Sequence, residues 1–168
     1  MRAVIAEAAP ADAAEIAALG RVTFAETFTH YTPEDLANFL EAKYQPSLFR
    51  ACIEDPSEVV FKAVLDGRIV GYAHAGPCVL PHPEVTPTCG ELKRLYVKNG
   101  YQGSGIGNAL LDAALTWLEK PGRTLWIGVF SENFGAQKLY ARHGFTKVGD
   151  YKFVVGSALD EEFILRRG

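Results

Sequence analysis

The residue types and spacings best suited to chemistry lie in one stretch, Glu91 to Lys120, ELKRLYVKNGYQGSGIGNALLDAALTWLEK. It reads as a strand (Glu91 to Val97), a glycine-rich turn (Gln102-Gly103-Ser104-Gly105-Ile106-Gly107) and a helix from Ile106 to Glu119. The first N–H groups of a helix have no partner within it, and the helix dipole makes that end electropositive. Glycines at 103, 105 and 107 let the backbone approach a ligand with no Cβ in the way. Together these features describe an anion cradle suited to a pyrophosphate. The alternative is a turn whose glycines serve only helix–sheet packing. Two familiar phosphate loops are excluded. Gly100 and Gly105 have the spacing of a Walker loop, but Ile106-Gly107 follows where Lys-Ser/Thr is required. In the dinucleotide fingerprint GxGxxG the last glycine would fall on Asn108 or Leu110.

A second constellation is Asn133 and Tyr140, seven residues apart and so on one helical face. A phenol within reach of a leaving group can donate a proton. Equally, Tyr140 can be a buried aromatic packing on Phe145. Glu91, at the head of the strand, is either a base or water-ordering carboxylate or an ordinary strand-end charge. His74, Cys78, His82 and Cys89 could be drawn as a metal set. No CxxC pair is present and prolines interrupt the segment, so no metal site is expected.

These groups need elements to position them. Ala3 to Glu7 can form a first strand, and Pro10 opens a helix carrying Ala13, Ile16, Leu19 and Val22 at helical intervals to Thr27 or Phe28, weakened by Gly20. Thr32 caps a second helix, Pro33 to Ala42, and a third short helix follows Pro46. Glu58–Leu65 and Arg68–Ala75 pair across the Asp66-Gly67 turn. Cys78 to Gly90 is a long proline-rich loop. In the central strand, Leu92, Leu95 and Val97 are spaced three then two. A β-bulge near Lys93-Arg94 would return them to one face; otherwise the strand is buried on both faces. The following helix places Ile106, Leu110, Ala113, Ala114 and Trp117 on one stripe. Thr124 to Phe130 is a buried strand reached by a crossover, hence parallel to the first. Ser131 or Asn133 caps a helix to Arg142, ended by Gly144. Phe145–Val155 and Glu161–Leu165 supply a final antiparallel pair.

Length and composition bound the rest. The 168 residues suit one domain spanning 1–168, and with 48% apolar residues a substantial core is available. A net charge of −3 argues against a nucleic-acid partner, and no apolar run approaches a membrane span. The N-terminal stretch carries Glu7, Asp12 and Glu15, unlike a secretory signal, so a cytoplasmic protein is expected. Three irregularly spaced cysteines fit a reducing compartment.

Gln102, Gly105 and Gly107 fill the pattern Gln/Arg-x-x-Gly-x-Gly/Ala after a short strand. Asn133, Ala136, Tyr140, Gly144 and Phe145 fill N-x-x-A-x-x-x-Y-x-x-x-G-F. In this order, separated by one strand, the two motifs resemble those of the GNAT superfamily of N-acetyltransferases. The resemblance implies a mixed α/β fold, with a central twisted mixed sheet of about six or seven strands, splayed parallel central strands and flanking helices. It implies acetyl-CoA as co-substrate, held by backbone amides of Gln102, Gly103, Ser104, Gly105, Ile106 and Gly107, by Leu95, Tyr96 and Val97 along the strand, and by Asn133 and Tyr140. Tyr140 would protonate the leaving thiolate, and Glu91 would serve as base or order a water. Flanking residues, including Phe24 to Phe28 and Pro33 to Leu36, are similar to the bacterial polyamine (spermidine/spermine) N-acetyltransferase branch. Tyr151 and Val155 depart from that branch, which has His and Met there. The resemblance makes a small-molecule amine the acceptor, with Glu26, Tyr31 and Glu84 as acceptor-side residues, and implies a homodimer. The same turn would also serve an acyl-CoA sensor with no catalytic role, or a nucleotide binder.

Overall fold

The structure, a computed structural model, describes residues 2–168. Seven strands form one sheet: β1 (Val4–Glu7), β2 (Val59–Leu65), β3 (Arg68–Pro77), β4 (Gly90–Val97), β5 (Leu125–Phe130), β6 (Thr146–Val155) and β7 (Ala158–Arg167). Five helices flank it: α1 (Ala13–Thr27), α2 (Pro33–Lys43), α3 (Pro46–Glu54), α4 (Ile106–Leu118) and α5 (Phe134–Arg142). The mixed α/β architecture and strand number expected from the sequence are what is observed. The last strand is longer than expected, and Pro10–Asp12 is a 3₁₀ turn leading into α1.

The strand order is β1-β2-β3-β4-β5-β7-β6. Every neighbouring pair is antiparallel except β4 and β5. Those two strands pair only where Gly90, Glu91 and Leu92 face Leu125, Trp126 and Ile127. Beyond Leu92 they part, each still held on its outer edge, β4 by β3 up to Val97 and β5 by β7 up to Phe130. A wedge therefore opens in the middle of the sheet. Along it the inner edge of β4 has no strand to receive its backbone groups.

The irregular spacing in β4 has the cause expected of it. His74 faces Arg94 and Ala75 faces Leu92, so Lys93 is the extra residue of a β-bulge. The bulge returns Leu92, Leu95 and Val97 to one face, where all three pack with α4. It also turns Glu91 and Arg94, three residues apart, to the opposite face.

Each face of the sheet has its own core. On one side lie α4 and α5, with Ile106, Leu110, Leu111, Ala114, Leu115 and Leu118 buried. This stripe is broader than the one expected, since Leu111, Leu115 and Leu118 are fully engaged while Trp117 packs only at its margin. On the other side α1 and α3 bury Ile16, Leu19, Phe24, Tyr44 and Phe49 against Tyr72 and Val60. Val22, counted on the apolar face from its interval, is 45% exposed. The inward face of α1 runs instead through Ala17, Gly20, Thr23 and Phe24. Gly20 is required there, because a Cβ would come within 2.7 Å of the Tyr44 ring and 3.1 Å of the Tyr72 hydroxyl oxygen. No helix among the described residues is long and apolar enough to cross a membrane.

Candidate active site

At the head of α4 the turn has the conformation its glycines permit. Gly103 and Gly105 have φ of +79° and +85°, a region other residues reach only with strain. Residues Gln102 to Gly105 are exposed. From Gln102 to Asn108 no backbone amide finds a carbonyl partner among the described residues; Ala109 is the first, bonded to Gly105 O at 3.0 Å. A row of free donors at an electropositive helix end is therefore open to solvent, as an anion cradle requires. The Gln102 side chain does a different job: its Nε2 donates to Val97 O at 3.1 Å and ties the turn to the end of β4.

The wedge between β4 and β5 is a cavity of about 620 Å³. Leu95 and Tyr96 from β4, and Asn133 and Tyr140 from α5, lie on its wall. Asn133 also caps α5, its Oδ1 accepting from Ala136 N at 3.2 Å, which fixes the helix so that Tyr140, two turns on, faces the same space. Tyr140 is 7% exposed, and burial raises its phenol pKa with no charged or hydrogen-bonding neighbour contributing. It contacts Phe145 at 6.4 Å between ring centroids, so packing and access to the cavity coexist.

From the opposite face of the sheet the cavity receives Glu91. Its Oε1 accepts from Val79 N at 3.0 Å and meets Lys93 Nζ at 3.4 Å. Burial raises its pKa, partly offset by Lys93. The proline-rich loop thus has a positional role, with Val79, Leu80 and Pro81 forming cavity wall.

Sequence reasoning missed a second carboxylate. Glu162 of β7 sits opposite Phe130 of β5 and Tyr151 of β6, because β7 lies between them in the sheet. It is 9% exposed and lines the cavity. Tyr151 donates its hydroxyl to Glu162 Oε1 at 3.1 Å. Burial pushes the Glu162 carboxyl up to about 7, against the pull of that hydrogen bond and with the Asp160 charge adding to the rise. A carboxyl that titrates near neutrality inside a cavity has the properties of a general base. Gly128 makes room for the pair, since a Cβ there would be 2.5 Å from the Tyr151 hydroxyl oxygen. The signal in the sequence was the alternation Asp160, Glu162, Ile164, which puts an acid on the face that Ile164 buries.

Three expected acceptor-side residues are not on the cavity wall. Glu26 accepts from Asn99 N at 3.1 Å and anchors the loop that leads to the glycine turn. The Tyr31 hydroxyl donates to Asp160, which also holds His30 Nε2 at 2.7 Å. Glu84 is an exposed partner of Arg166 at 2.7 Å. Each is engaged elsewhere because α1, the loop after β4 and β7 converge only in the folded chain. The histidines and cysteines weighed as a metal set do not converge either. Among the described residues, the ligand-type side chains that do converge are Cys52, Glu58 and His74. There the Glu58 carboxylate already accepts from His74 Nε2 at 2.7 Å, and the charges of Arg94 and Lys93 bear on the same imidazole.

Comparison with known proteins gives this geometry a context. An uncharacterised N-acetyltransferase of Lactobacillus delbrueckii subsp. lactis is 31% identical over 97% of this chain and 95% of its own length. A spermine/spermidine N(1)-acetyltransferase of Bacillus subtilis is 30% identical over 62% of this chain and 72% of its own. Among solved structures, the PaiA N-acetyltransferase of Thermoplasma acidophilum, in complex with coenzyme A, superposes with a TM-score of 0.79 at 21% identity, covering 99% of both chains. The model of the acetyltransferase (GNAT) family matches residues 23–145, a span that takes in the wedge, the free amides and Tyr140, and the chain belongs to that family of N-acetyltransferases.

Proposed function

We propose that the protein transfers the acetyl group of acetyl-CoA to a small primary amine by direct attack of the amine nitrogen on the thioester. The observation that carries this reading is the wedge between β4 and β5. It opens a cavity holding Tyr140, Glu91 and Glu162 beside β4, the strand whose end at Val97 is tied to the glycine turn by Gln102. In this reading the amides of Gln102 to Gly107 hold the pyrophosphate, and the unpaired edge of β4 at Leu95, Tyr96 and Val97 receives the amide groups of the pantetheine arm. Asn133 and Tyr140 border the reacting end.

An alkyl ammonium has a pKa of about 10.4, so a proton must leave before the nitrogen can attack. Glu162 accepts it directly or through a water ordered by Glu91. As the carbon–nitrogen bond forms and the carbon–sulfur bond breaks, the thiolate, with a pKa of about 8.5, takes a proton from Tyr140, and the second proton shed by the nitrogen as it becomes an amide restores the phenol. The raised pKa of the buried phenol keeps it protonated and available.

The acceptor is read as a small amine rather than a polyamine. The Bacillus subtilis relative supports an amine acceptor. A polyamine, however, needs carboxylates for its distal ammonium groups; Glu26, Asp35 and Glu84 are bonded elsewhere, and Glu34 is exposed on α2, off the cavity wall. The cavity wall instead carries Lys43, Lys93 and Arg94 beside Glu91 and Glu162. The test is thiol release from acetyl-CoA across a panel of amines. Thermal protection by acetyl-CoA with no release from any amine would mark an acyl-CoA sensor. Better protection by ATP or NAD would mark a nucleotide binder.

The cradle itself is tested by Gly107→Ala. An added Cβ meets only Val97 Cγ2 at 3.8 Å, and alanine is the better helix former by about 1 kcal/mol in a helix interior. The variant is expected to melt at the same or a higher temperature while binding acetyl-CoA about tenfold more weakly, because the methyl group enters the ligand's space. Calorimetric titration decides it, and unchanged affinity would remove the turn from the binding site.

A further inference from the structure

The cavity wall carries a cation, Arg94, that forms no ion pair among the described residues. Arg21, Arg50, Arg166 and Arg167 each reach a glutamate. Arg94, turned inward by the bulge, does not. Its guanidinium lies over the rings of Tyr44 and Phe49, 4.8 and 5.0 Å from their centroids. The titratable groups that bear on it most are Tyr44, Tyr72, Tyr96 and Cys52, none of them a carboxylate. The carboxylate beyond, Glu58, is bonded to His74.

A guanidinium presents five N–H donors and no acceptor. Three phenols surround it, and Tyr72 Oη, fully buried, makes no hydrogen bond of normal geometry among the described residues. Donors outnumber acceptors throughout this knot, an arrangement that costs stability unless something supplies lone pairs. The aromatic rings fix the plane of the fork, which suits bidentate contact with an oxyanion. Arg94, Tyr44 and Tyr96 line the cavity, and Lys43, on the last turn of α2, adds a second positive charge at its wall.

We infer that Arg94 anchors an acidic group of the acceptor, so that the substrate is an amine carrying a carboxylate or phosphonate. The inference rests on the acetyl-transfer reading and narrows it. The acid docks on Arg94 and the surrounding phenols, and the amine lies toward Glu162 and Tyr151. Phe24, Phe28 and Phe39 offer an apolar wall to the body of the molecule.

The experiment compares α- and ω-amino acids and aminoalkylphosphonates, each matched to the amine lacking its acid group. In the native protein at least one acid-bearing amine is expected to exceed its matched amine in kcat/KM by about tenfold or more. The carboxylate and phosphonate arms show which oxyanion is preferred. In Arg94→Met the ratio between the two members of the pair should collapse by roughly 10- to 100-fold, the range for lost hydrogen bonds to a charged group. Arg94→Lys, which keeps the charge but not the fork, should retain part of it. A purely structural role would lower both members together and leave the ratio standing, which would overturn the inference. Native ratios at or below one across the panel would do the same. If no amine releases thiol, the acetyl-transfer reading fails, and Arg94 is still decided by calorimetry with coenzyme A present. N-acetyl amino acids and N-acetyl aminoalkylphosphonates should bind the native protein more tightly than their acid-free counterparts and lose that advantage in Arg94→Met; equal binding overturns it.

Discussion

Tyr140→Phe is expected to lower kcat by about 100-fold or more while changing the affinity for acetyl-CoA little. The phenol sits in the wedge between β4 and β5, and no neighbour other than the cavity claims its proton. Removing the hydroxyl leaves no buried acceptor without its donor, so the melting temperature should hold or rise slightly. The defect should also depend on the leaving group. A thioester whose thiol has a pKa well below neutrality needs no acid, because its thiolate departs unprotonated. On such a donor the phenylalanine variant should approach the native rate, whereas a variant that merely distorts the cavity would remain slow. Loss of acetyl-CoA affinity in step with kcat, or equal slowing on both donors, would remove Tyr140 from the acid role.

How much of this was legible in the sequence follows from how far apart in the chain the cooperating residues lie. The glycine turn, the bulge at Lys93 and the cap at Asn133 are written in local spacing, and the structure has them where that spacing puts them. The crossover from β4 through α4 to β5 dictates a parallel pair, which is also a local inference. Glu162, Tyr151 and Arg94 are different. Glu162 reaches the cavity because β7 inserts between β5 and β6, so that the last strand, not the next one, borders β5. Chain order alone suggests the reverse. Arg94 faces Tyr44 only because the bulge turns it toward α2 and α3. Its lack of an acidic partner is a property of the packed interior, invisible until every carboxylate has been placed. Glu26, Tyr31 and Glu84 lie off the cavity wall for the complementary reason. Their side-chain types suit an amine, yet each meets a closer partner once the strands assemble.

For Glu162→Gln we expect a loss of activity coupled to a gain of stability, and the pH dependence ties the two together. A base must be unprotonated, so kcat/KM of the native enzyme should rise with pH through about 7, the value to which burial pushes this carboxyl. In the glutamine variant that limb should vanish, with the rate at pH 8 down by about 100-fold. Stability moves the other way. The folded-state pKa lies above the ordinary 4.5, so the folded protein binds the proton more tightly than the unfolded chain. Stability therefore falls as pH rises from 4.5 toward 7, and above that range the ionised carboxylate leaves a standing deficit of order 3 kcal/mol. Glutamine carries no charge and keeps an oxygen for the Tyr151 hydroxyl, so it should remove most of that deficit. The variant should melt well above the native protein at pH 8, with the two curves converging near pH 4. Melting and rate profiles measured across the same pH range make the coupling checkable. A limb that survives the substitution would move the base to Glu91 or to the amine itself. A variant less stable than the native protein at pH 8 would mean that partners in the cavity hold this carboxylate ionised, and a group so held has no reason to take a proton from an ammonium.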